Sequence, residues 1–224
     1  MFRRAHHNRI AAALNSLNTD FFLYSACWFG GGTAIVLALN EYRESVDIYF
    51  LCASTDGYRL LRQRVFEAGF AALVRAPVAL RRDLRADQYG LRAVLEVDGE
   101  PIKFEIVREA RVPLSGALNP SLGVPQLSRE DMYAEKLLAN ADRWSDPATL
   151  SRDVIDLSMM MAHWGPVPDA AWAKAEGAYG PSVRVAFARA VERIADRAWL
   201  GDCMARMSMD PALIEPILST HARC

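Results

Sequence analysis

The segments FGGGTA at residues 29–34 and VDIYF at residues 46–50 decide the fold of this chain. A glycine turn at the start of a helix exposes backbone N–H groups that can bind phosphate oxygens. In the second segment apolar residues alternate with Asp47 and Tyr49, which predicts a strand whose apolar residues, Val46 included, face the core. Asp47 and Tyr49 then share the opposite face. We therefore expect a helix and a strand that meet at a phosphate-binding turn and present an acid there.

The composition limits the class of protein. With 224 residues, 52% of them hydrophobic, the chain can bury a full core in one large domain or two small ones. A net charge of -1 argues against binding nucleic acid by bulk charge but allows a local basic face that binds RNA. No segment has the length of a membrane span or the apolar region of a signal peptide. We expect a globular, cytoplasmic protein that does not bind membranes.

The cysteines also favour a cytoplasmic protein. No two of them have C-x-x-C spacing, which predicts reduced thiols and neither a disulfide framework nor a zinc site. The four cysteines are Cys27, Cys52, Cys203 and Cys224.

Residues 1–125 alternate between helical and strand patterns. Three helices are predicted, over Arg9–Leu17, from the glycines to Leu39, and over Tyr58–Phe70. Strands predicted over residues 91–97 and 102–107 flank Asp98 and Gly99, a pair typical of a tight hairpin because both residues tolerate positive φ. On the second of these strands the apolar residues face the core, so Glu105 lies on the other face.

The remaining chain has a different pattern. Residues 113–125, rich in Pro, Gly, Ser and Asn, predict a loop, and no strand pattern follows it. Helices are predicted to start at Ser128, at Asp146-Pro147 with an end near His163, and at Asp169, Pro181 and Asp210-Pro211. We therefore predict an α+β fold, with a mixed sheet and flanking helices in residues 1–125 and an all-helical domain in residues 126–224.

Four sequence blocks follow one another along the chain: GGTA at 31–34, RESVDI at 43–48, EKLLA at 135–139 and RDVIDL at 152–157. Together and in this order they resemble the AbiEii/AbiGii-type nucleotidyltransferases, which belong to the DNA polymerase β-like superfamily and are toxins of type IV toxin–antitoxin and abortive-infection systems. The resemblance implies transfer of a nucleotide from an NTP to an RNA acceptor, the 3′ end of tRNA. It also implies growth arrest as the outcome, an antitoxin protein as partner, and NTP and Mg²⁺ bound in a cleft between the two domains.

The predicted nucleotide-binding residues lie at the glycine turn, at the entrance of the following strand and in the helical domain: Gly31, Gly32, Thr33, Arg43, Ser45 and Lys136. The glycines either cradle phosphate or form only a tight helix start. Arg43 and Ser45 either orient phosphate or only flank the strand. By the resemblance, Lys136 reaches the triphosphate; the alternative is a solvated lysine on an amphipathic helix.

Asp47 and Glu105 are the predicted ligands of Mg²⁺, which takes one or two carboxylates together with phosphate oxygens and water. A nucleotidyl-transfer site is expected to carry Asp-x-Asp, and this chain has Tyr49 at the second position. A phenol of pKa about 10 is neutral at pH 7 and a poor ligand for magnesium. The chain is therefore either an enzyme that needs one carboxylate here or a non-catalytic module of the same fold that binds a nucleotide or a partner.

Asp153 and Asp156 lie three residues apart on a predicted helix that is apolar almost all round, so both should be buried and need partners. They either hold Lys136 and Arg143 in position, or one of them acts as a base on the acceptor hydroxyl. The predicted catalytic residues are therefore Asp47, Lys136, Asp153 and Asp156.

One local concentration of positive charge stands out, formed by Arg59, Arg62, Arg64, Arg75, Arg81, Arg82 and Arg85. It is either a solvated face or the place where tRNA phosphates bind. A further alternative to an RNA acceptor is a small molecule or a protein hydroxyl, which would use the same phosphate site.

Overall fold

The computed structural model describes residues 1–221, so that Cys224 lies outside the described residues. The chain divides into two compact units. The first unit comprises Met1–Ala34 and Val46–Ser128, and the second comprises Ile35–Ser45 and the residues from Arg129 on. The predicted α+β class is confirmed, because a mixed sheet and helices make up the first unit and helices make up the second.

Seven strands of the described chain form one sheet in the order β3-β4-β5-β2-β1-β7-β6. Their bounds are β1 (Cys27–Phe29), β2 (Ile48–Cys52), β3 (Ala79–Ala86), β4 (Gly90–Val97), β5 (Glu100–Arg108), β6 (Gly116–Asn119) and β7 (Val124–Leu127). The β2–β5 and β1–β7 pairs are parallel and the other neighbours are antiparallel. The predicted β4–β5 hairpin is confirmed, and Asp98 and Gly99 both have positive φ at its turn.

The helices that begin in the first unit are α1 (Ala5–Asn15), α2 (Thr19–Tyr24), α3 (Gly31–Ala38) and α4 (Thr55–Ala68). A cluster of aromatic rings forms the core beside the sheet: the Phe50 ring centroid lies 4.7 Å from that of Phe22 and 6.0 Å from that of Phe104. Ile48, Phe50, Phe104 and Ile106, which lie on one face of β2 and β5, are fully buried. The core therefore fixes which face of β2 and β5 is left for polar residues.

The helices of the second unit are α5 (Arg129–Arg143), α6 (Arg152–Trp164), α7 (Asp169–Tyr179), α8 (Ser182–Ile194), α9 (Arg197–Arg206) and α10 (Ile214–Ser219). Helix α5 packs against α6, α7 and α8. None of the helices that residues 1–221 form has the length and apolar character needed to cross a bilayer.

Three sequence-based predictions were wrong in detail. Val46 is 49% exposed and β2 begins only at Ile48, so Asp47 precedes the strand and does not lie within it. The predicted loop at 113–125 contains β6 and the start of β7. The predicted single helix from Asp146 to His163 is a short 3-10 turn, Pro147–Thr149, followed by α6, because Leu150 and Ser151 between them adopt left-handed backbone conformations.

The described cysteines agree with the prediction of reduced thiols. Cys27, Cys52 and Cys203 are free and buried. Burial raises the pKa of the Cys27 and Cys203 thiols, which keeps both protonated at neutral pH.

Candidate active site

The start of helix α3 lies directly against the entrance of β2. Gly31 has a φ of +70°, which an L side chain rarely adopts, and a Cβ atom there would lie 3.1 Å from Cδ1 of Tyr49. The Gly30 N–H donates to the Tyr49 carbonyl oxygen at 2.9 Å. The Thr33 hydroxyl donates to the Asp47 carbonyl oxygen at 2.6 Å. The structure thus brings the predicted glycine turn and Asp47 together, and Gly32 lies in the same first turn of α3.

The Asp47 side chain is partly exposed, and its carboxylate has no ion pair or side-chain hydrogen bond within residues 1–221. The Glu105 carboxylate, by contrast, pairs with Arg92 at 3.5 Å. Asp47 therefore offers two oxygen atoms that are free to bind a hard cation or a hydrogen-bond donor.

Tyr49 and Glu105 are neighbours across the parallel β2–β5 pair. Because the flanking residues of both strands are buried, these two side chains lie on the face of the sheet opposite the core. The Glu105 carboxylate forms an ion pair with Arg92, so Glu105 is a weaker candidate metal ligand than Asp47.

The oxygen donors fit Mg²⁺ only if substrate supplies the rest of its coordination shell. Within the described residues no three His, Cys, Asp or Glu side chains cluster as ligands for one ion. Asp47 and Glu105 are carboxylates, the donor type that Mg²⁺ prefers, and Mg²⁺ is commonly bound by one or two carboxylates with phosphate oxygens and water. The residues present are thus compatible with an ion completed by the phosphates of a nucleotide.

A buried network of ion pairs lies in the second unit. Asp156 accepts two hydrogen bonds from Arg43, from Nε to Oδ1 at 2.7 Å and from Nη2 to Oδ2 at 2.8 Å. The Tyr42 hydroxyl donates to Asp156 Oδ1 at 2.5 Å. Lys136 Nζ lies 2.6 Å from Asp156 Oδ2 and 2.8 Å from Asp153 Oδ1. Both carboxylates are thereby saturated with donors.

Arg143 completes this network. Its Nε lies 2.6 Å from Asp153 Oδ2 and its Nη2 lies 3.0 Å from Asp153 Oδ1. Asp153 thus binds both Lys136 and Arg143, which is the ion pairing predicted from the sequence. We call Tyr42, Arg43, Lys136, Arg143, Asp153 and Asp156 the buried network.

The helical spacing explains how the chain builds the buried network. Lys136 and Arg143 lie seven residues apart on α5, two turns along one face, and Asp153 and Asp156 lie three apart on α6. Because α5 packs against α6, the two faces meet and the cations lie against the carboxylates. The segment 35–45 adds Tyr42 and Arg43 from a distant part of the sequence. Sequence reasoning missed Tyr42, because its neighbours Asn40, Glu41, Arg43 and Glu44 are all polar and give no sign that it is buried.

The buried network joins three cations, Arg43, Lys136 and Arg143, to two carboxylates, and the Arg143 side chain is 37% exposed. Lys136 is only 5% exposed and Asp156 is fully buried. Burial of ionised groups is costly, and the close ion pairs of the buried network offset this cost.

The pKa values of the network follow from burial and from its ion pairs. Burial by itself would raise the pKa of the Asp153 carboxyl, but the charges of Lys136 and Arg143 outweigh it and hold that pKa well below its ordinary value. Burial acts in the same direction on the pKa of Asp156, and Arg43 and Lys136 outweigh it there. Burial and the neighbouring Asp156 raise the pKa of Tyr42. At neutral pH both aspartates are ionised and Tyr42 is a hydrogen-bond donor.

The remaining predicted residues lie outside this network. Ser45 is partly buried, two residues after Arg43. All seven arginines of the predicted basic concentration are exposed. Four of them form ion pairs with exposed acids: Arg59 with Asp56, Arg64 with Glu67, Arg75 with Asp20 and Arg81 with Glu96.

Comparisons with known proteins place the fold and the family. The whole chain aligns with 93% of the crystal structure of JHP933 from Helicobacter pylori, at 15% sequence identity and a TM-score of 0.57. It also aligns over 90% of its length with 94% of an antigenic nucleotidyltransferase-like protein from Paracoccidioides brasiliensis, at 13% identity and a TM-score of 0.51. A search of curated proteins finds no match. The family model described as the nucleotidyl transferase AbiEii toxin of type IV toxin–antitoxin systems matches residues 12–215, and the chain therefore belongs to that family.

Proposed function

We propose that this chain transfers a nucleotidyl group from an NTP to an RNA acceptor, the 3′ end of tRNA. In this proposal it is a cytoplasmic toxin that arrests growth and is neutralised by a cognate antitoxin protein. The observation that supports it most is the buried network, in which residues of three of the four family-like sequence blocks hold Arg43, Lys136 and Arg143 at fixed positions. A fixed positive charge suits the phosphates of a triphosphate.

Nucleotidyl transfer depends mainly on positioning and on neutralising phosphate charge. Lys136 Nζ is held by Asp153 and Asp156 at a fixed point, so it is preorganised to bind a phosphate oxygen without losing side-chain freedom. Carboxylates with depressed pKa values are weak proton acceptors at neutral pH. We therefore assign Asp153 and Asp156 the role of positioning Lys136, Arg43 and Arg143, in preference to that of a general base.

A second group of proposed binding residues lies at the start of α3, in the first unit. The backbone N–H groups of Gly31, Gly32 and Thr33 bind phosphate oxygens at the helix N-terminus, while the Thr33 hydroxyl holds the Asp47 carbonyl oxygen. Asp47 would hold the Mg²⁺ ion that the family's reaction implies, and Glu105, the neighbour of Tyr49 across the sheet, is the second candidate ligand. When bound, Mg²⁺ neutralises charge on the phosphates and lowers the pKa of a bound hydroxyl.

Labelling of RNA tests this proposal. The protein is incubated with each of the four α-labelled NTPs, Mg²⁺ and total tRNA, and the RNA is resolved on a gel. We expect one NTP to label RNA and Asp47→Ala to abolish the label. The matched control is Asp202→Ala, which removes an exposed aspartate of α9 and should retain full activity. No labelled RNA with any NTP would refute an RNA acceptor, and label on protein or on a small molecule would identify the other acceptor class.

Tyr49 favours a second candidate function, a non-catalytic module that binds a nucleotide or a partner. A phenol stands beside Glu105 at the position where a second metal carboxylate is expected. Calorimetry with NTP separates the two, because an enzyme of this type binds NTP more tightly with Mg²⁺ and a degenerate site does not. Tyr49→Asp adds a sharper comparison. Transfer activity that appears only in this variant supports the non-catalytic function, whereas activity in the unaltered protein shows that one carboxylate at this position is sufficient.

A further inference from the structure

Helix α4 and the β3–β4 hairpin enclose a cleft of about 740 Å³ in the first unit, which we call the α4–β3 cleft. Arg59, Arg62 and Phe66 line it from α4, and Arg108 lines it from the end of β5. Its volume lies in the range of pockets that bind small molecules or single nucleotides. No residue proposed above for nucleotide or metal binding lines this cleft.

The α4–β3 cleft carries positive charge that is only partly compensated, because, of its three arginines, Arg59 alone is paired within the described residues, with Asp56. No Asp or Glu of the described chain lines it, and neither Arg62 nor Arg108 has a carboxylate partner within ion-pair distance in residues 1–221. The nearby Asp87 carboxylate already has its own partners. It accepts hydrogen bonds from the N–H groups of Tyr89 and Gly90 and pairs with Arg92 at 3.1 Å. Two exposed guanidinium groups therefore face solvent with their donors unused.

The walls of the cleft are fixed by hydrogen bonds. The Tyr58 hydroxyl on α4 donates to the Asp87 carbonyl oxygen in the β3–β4 turn at 2.8 Å. The Arg108 N–H donates to the Tyr89 carbonyl oxygen at 2.9 Å. Helix and hairpin are thus held together before any ligand binds, which reduces the entropy lost on binding.

Phe66 adds an apolar, flat surface at the edge of the cleft. The Phe66 side chain is 93% exposed, whereas Leu61 and Val65 on the inner face of the same helix are buried. Proteins that bind single-stranded nucleic acid combine a positive groove for the backbone with exposed aromatic rings on which bases stack. An acidic peptide would use the arginines but would gain little from such a ring.

We propose that the α4–β3 cleft binds a single-stranded segment of the RNA acceptor, with Arg62 and Arg108 on its phosphates and Phe66 stacked on an unpaired base. This inference rests on the proposed function for the identity of the acceptor as RNA. It assigns the cleft to recognition of the acceptor strand, away from the residues that hold the NTP. A duplex is a poorer ligand, because its bases are already stacked on one another.

Fluorescence anisotropy with a labelled, unstructured 12-nucleotide RNA tests the inference. The titration is done without NTP and without Mg²⁺, so that it reports RNA binding alone. Phe66→Ala should weaken binding by about fivefold or more, the loss typical of one stacked base. Arg62→Gln and Arg108→Gln should each lower the slope of log affinity against log salt by about 0.7, the value for one phosphate contact on a single strand.

Two control variants match these changes elsewhere on the surface. Tyr24→Ala removes an aromatic side chain that is 81% exposed on α2, and Arg189→Gln removes an exposed arginine of α8. Both should bind the RNA as the unaltered protein does. All five substituted side chains are exposed, so the variants should fold normally, which circular dichroism verifies.

Each alternative outcome is informative. Equal losses in cleft and control variants, or no loss in the cleft variants, overturn the inference. The inference is also overturned if poly-glutamate competes as strongly as RNA does and Phe66→Ala binds as the unaltered protein does. That result would identify an acidic protein as the ligand. RNA binding that depends on the cleft in a protein without transfer activity supports the inference and refutes only the proposed function. Transfer to a non-RNA acceptor with no RNA binding refutes the inference and leaves nucleotidyl transfer in place.

Discussion

At the scale of single residues, Asp156 has the largest predicted effect on stability. Its carboxylate is fully buried and accepts donors from Tyr42, Arg43 and Lys136. Asp156→Asn leaves the buried Arg43 without its counter-charge and leaves Lys136 with Asp153 alone. Removal of one partner from a buried ion pair typically destabilises a protein by about 3–5 kcal/mol. Urea unfolding followed by circular dichroism should show a loss of this size.

The control for this substitution is Glu215→Gln, which breaks the exposed ion pair of Glu215 with Arg197 in the same unit. Exposed pairs contribute little because water screens them. We expect the free energy of unfolding to be nearly unchanged in this variant. Equal effects of the two substitutions would contradict a structural role for the buried network.

Gly31 is the residue whose backbone most directly shapes the phosphate-binding turn. Gly31→Ala places a side chain at a φ of +70° and a Cβ atom 3.1 Å from Tyr49 Cδ1. The backbone strain alone costs about 1–2 kcal/mol, and Tyr49 must also move. Gly99→Ala is the matched control, because its φ is +79° and a Cβ atom there would have no neighbouring atom within 4 Å. Gly31→Ala should destabilise the protein more than Gly99→Ala in urea unfolding, and equal losses would show that the Tyr49 contact is unimportant.

At the scale of elements, the α5–α6 pair makes stability depend on pH. Asp153 and Asp156 have folded-state pKa values below that of an unfolded aspartate, about 3.9. Their contribution is therefore complete above that pH and is lost as pH falls from there towards the folded pKa. The two groups together give a slope of up to about 2.7 kcal/mol per pH unit in this window.

Urea unfolding between pH 7 and pH 3 measures this dependence. The unaltered protein should lose stability steeply below about pH 4, where unfolded aspartates bind protons and the buried pair does not. Asp153→Asn should flatten the slope, since one of the two groups is gone. Asp202→Asn, at an exposed site, should leave the slope unchanged. A slope that is the same in all three proteins would rule out the buried aspartates as its source.

The sequence predicted those elements whose signals are local. Alternating apolar residues predicted β4 and β5, Asp98-Gly99 predicted their turn, and the glycines predicted the start of α3. It did not predict β1, β6 or β7, because three or four residues are too few to show a period and their strand conformation depends on pairing with neighbours. It also did not predict β3, whose eight residues are mostly exposed and do not alternate between apolar and polar.

The limits of sequence-based prediction at the candidate site have the same origin. The break before α6 was missed because Leu150 and Ser151 are not residues that signal a left-handed conformation. The spacing of Asp153 and Asp156 predicted buried carboxylates with Lys136 and Arg143 as partners. It could not predict that Tyr42 and Arg43, more than a hundred residues earlier, share Asp156, because that contact exists only in the folded chain.

At the scale of the whole molecule, the central prediction is that Asp47 and Lys136 act on the same nucleotide. A double-mutant cycle tests it, because substitutions at residues that share one ligand do not add. Calorimetry gives the affinity of the NTP with Mg²⁺ for the unaltered protein, Asp47→Asn, Lys136→Met and the double variant. We expect both single variants to bind the NTP more weakly, and the double variant to lose at least about 0.5 kcal/mol less binding free energy than the sum of the two single losses.

Unfolding of each variant is measured first, since Lys136→Met also removes a partner of Asp153 and Asp156. The control cycle pairs Lys136→Met with Asp83→Asn, an exposed aspartate of β3, and should be additive. Additive losses in both cycles would mean that Asp47 and Lys136 serve separate sites, and the proposed transfer mechanism would then fail.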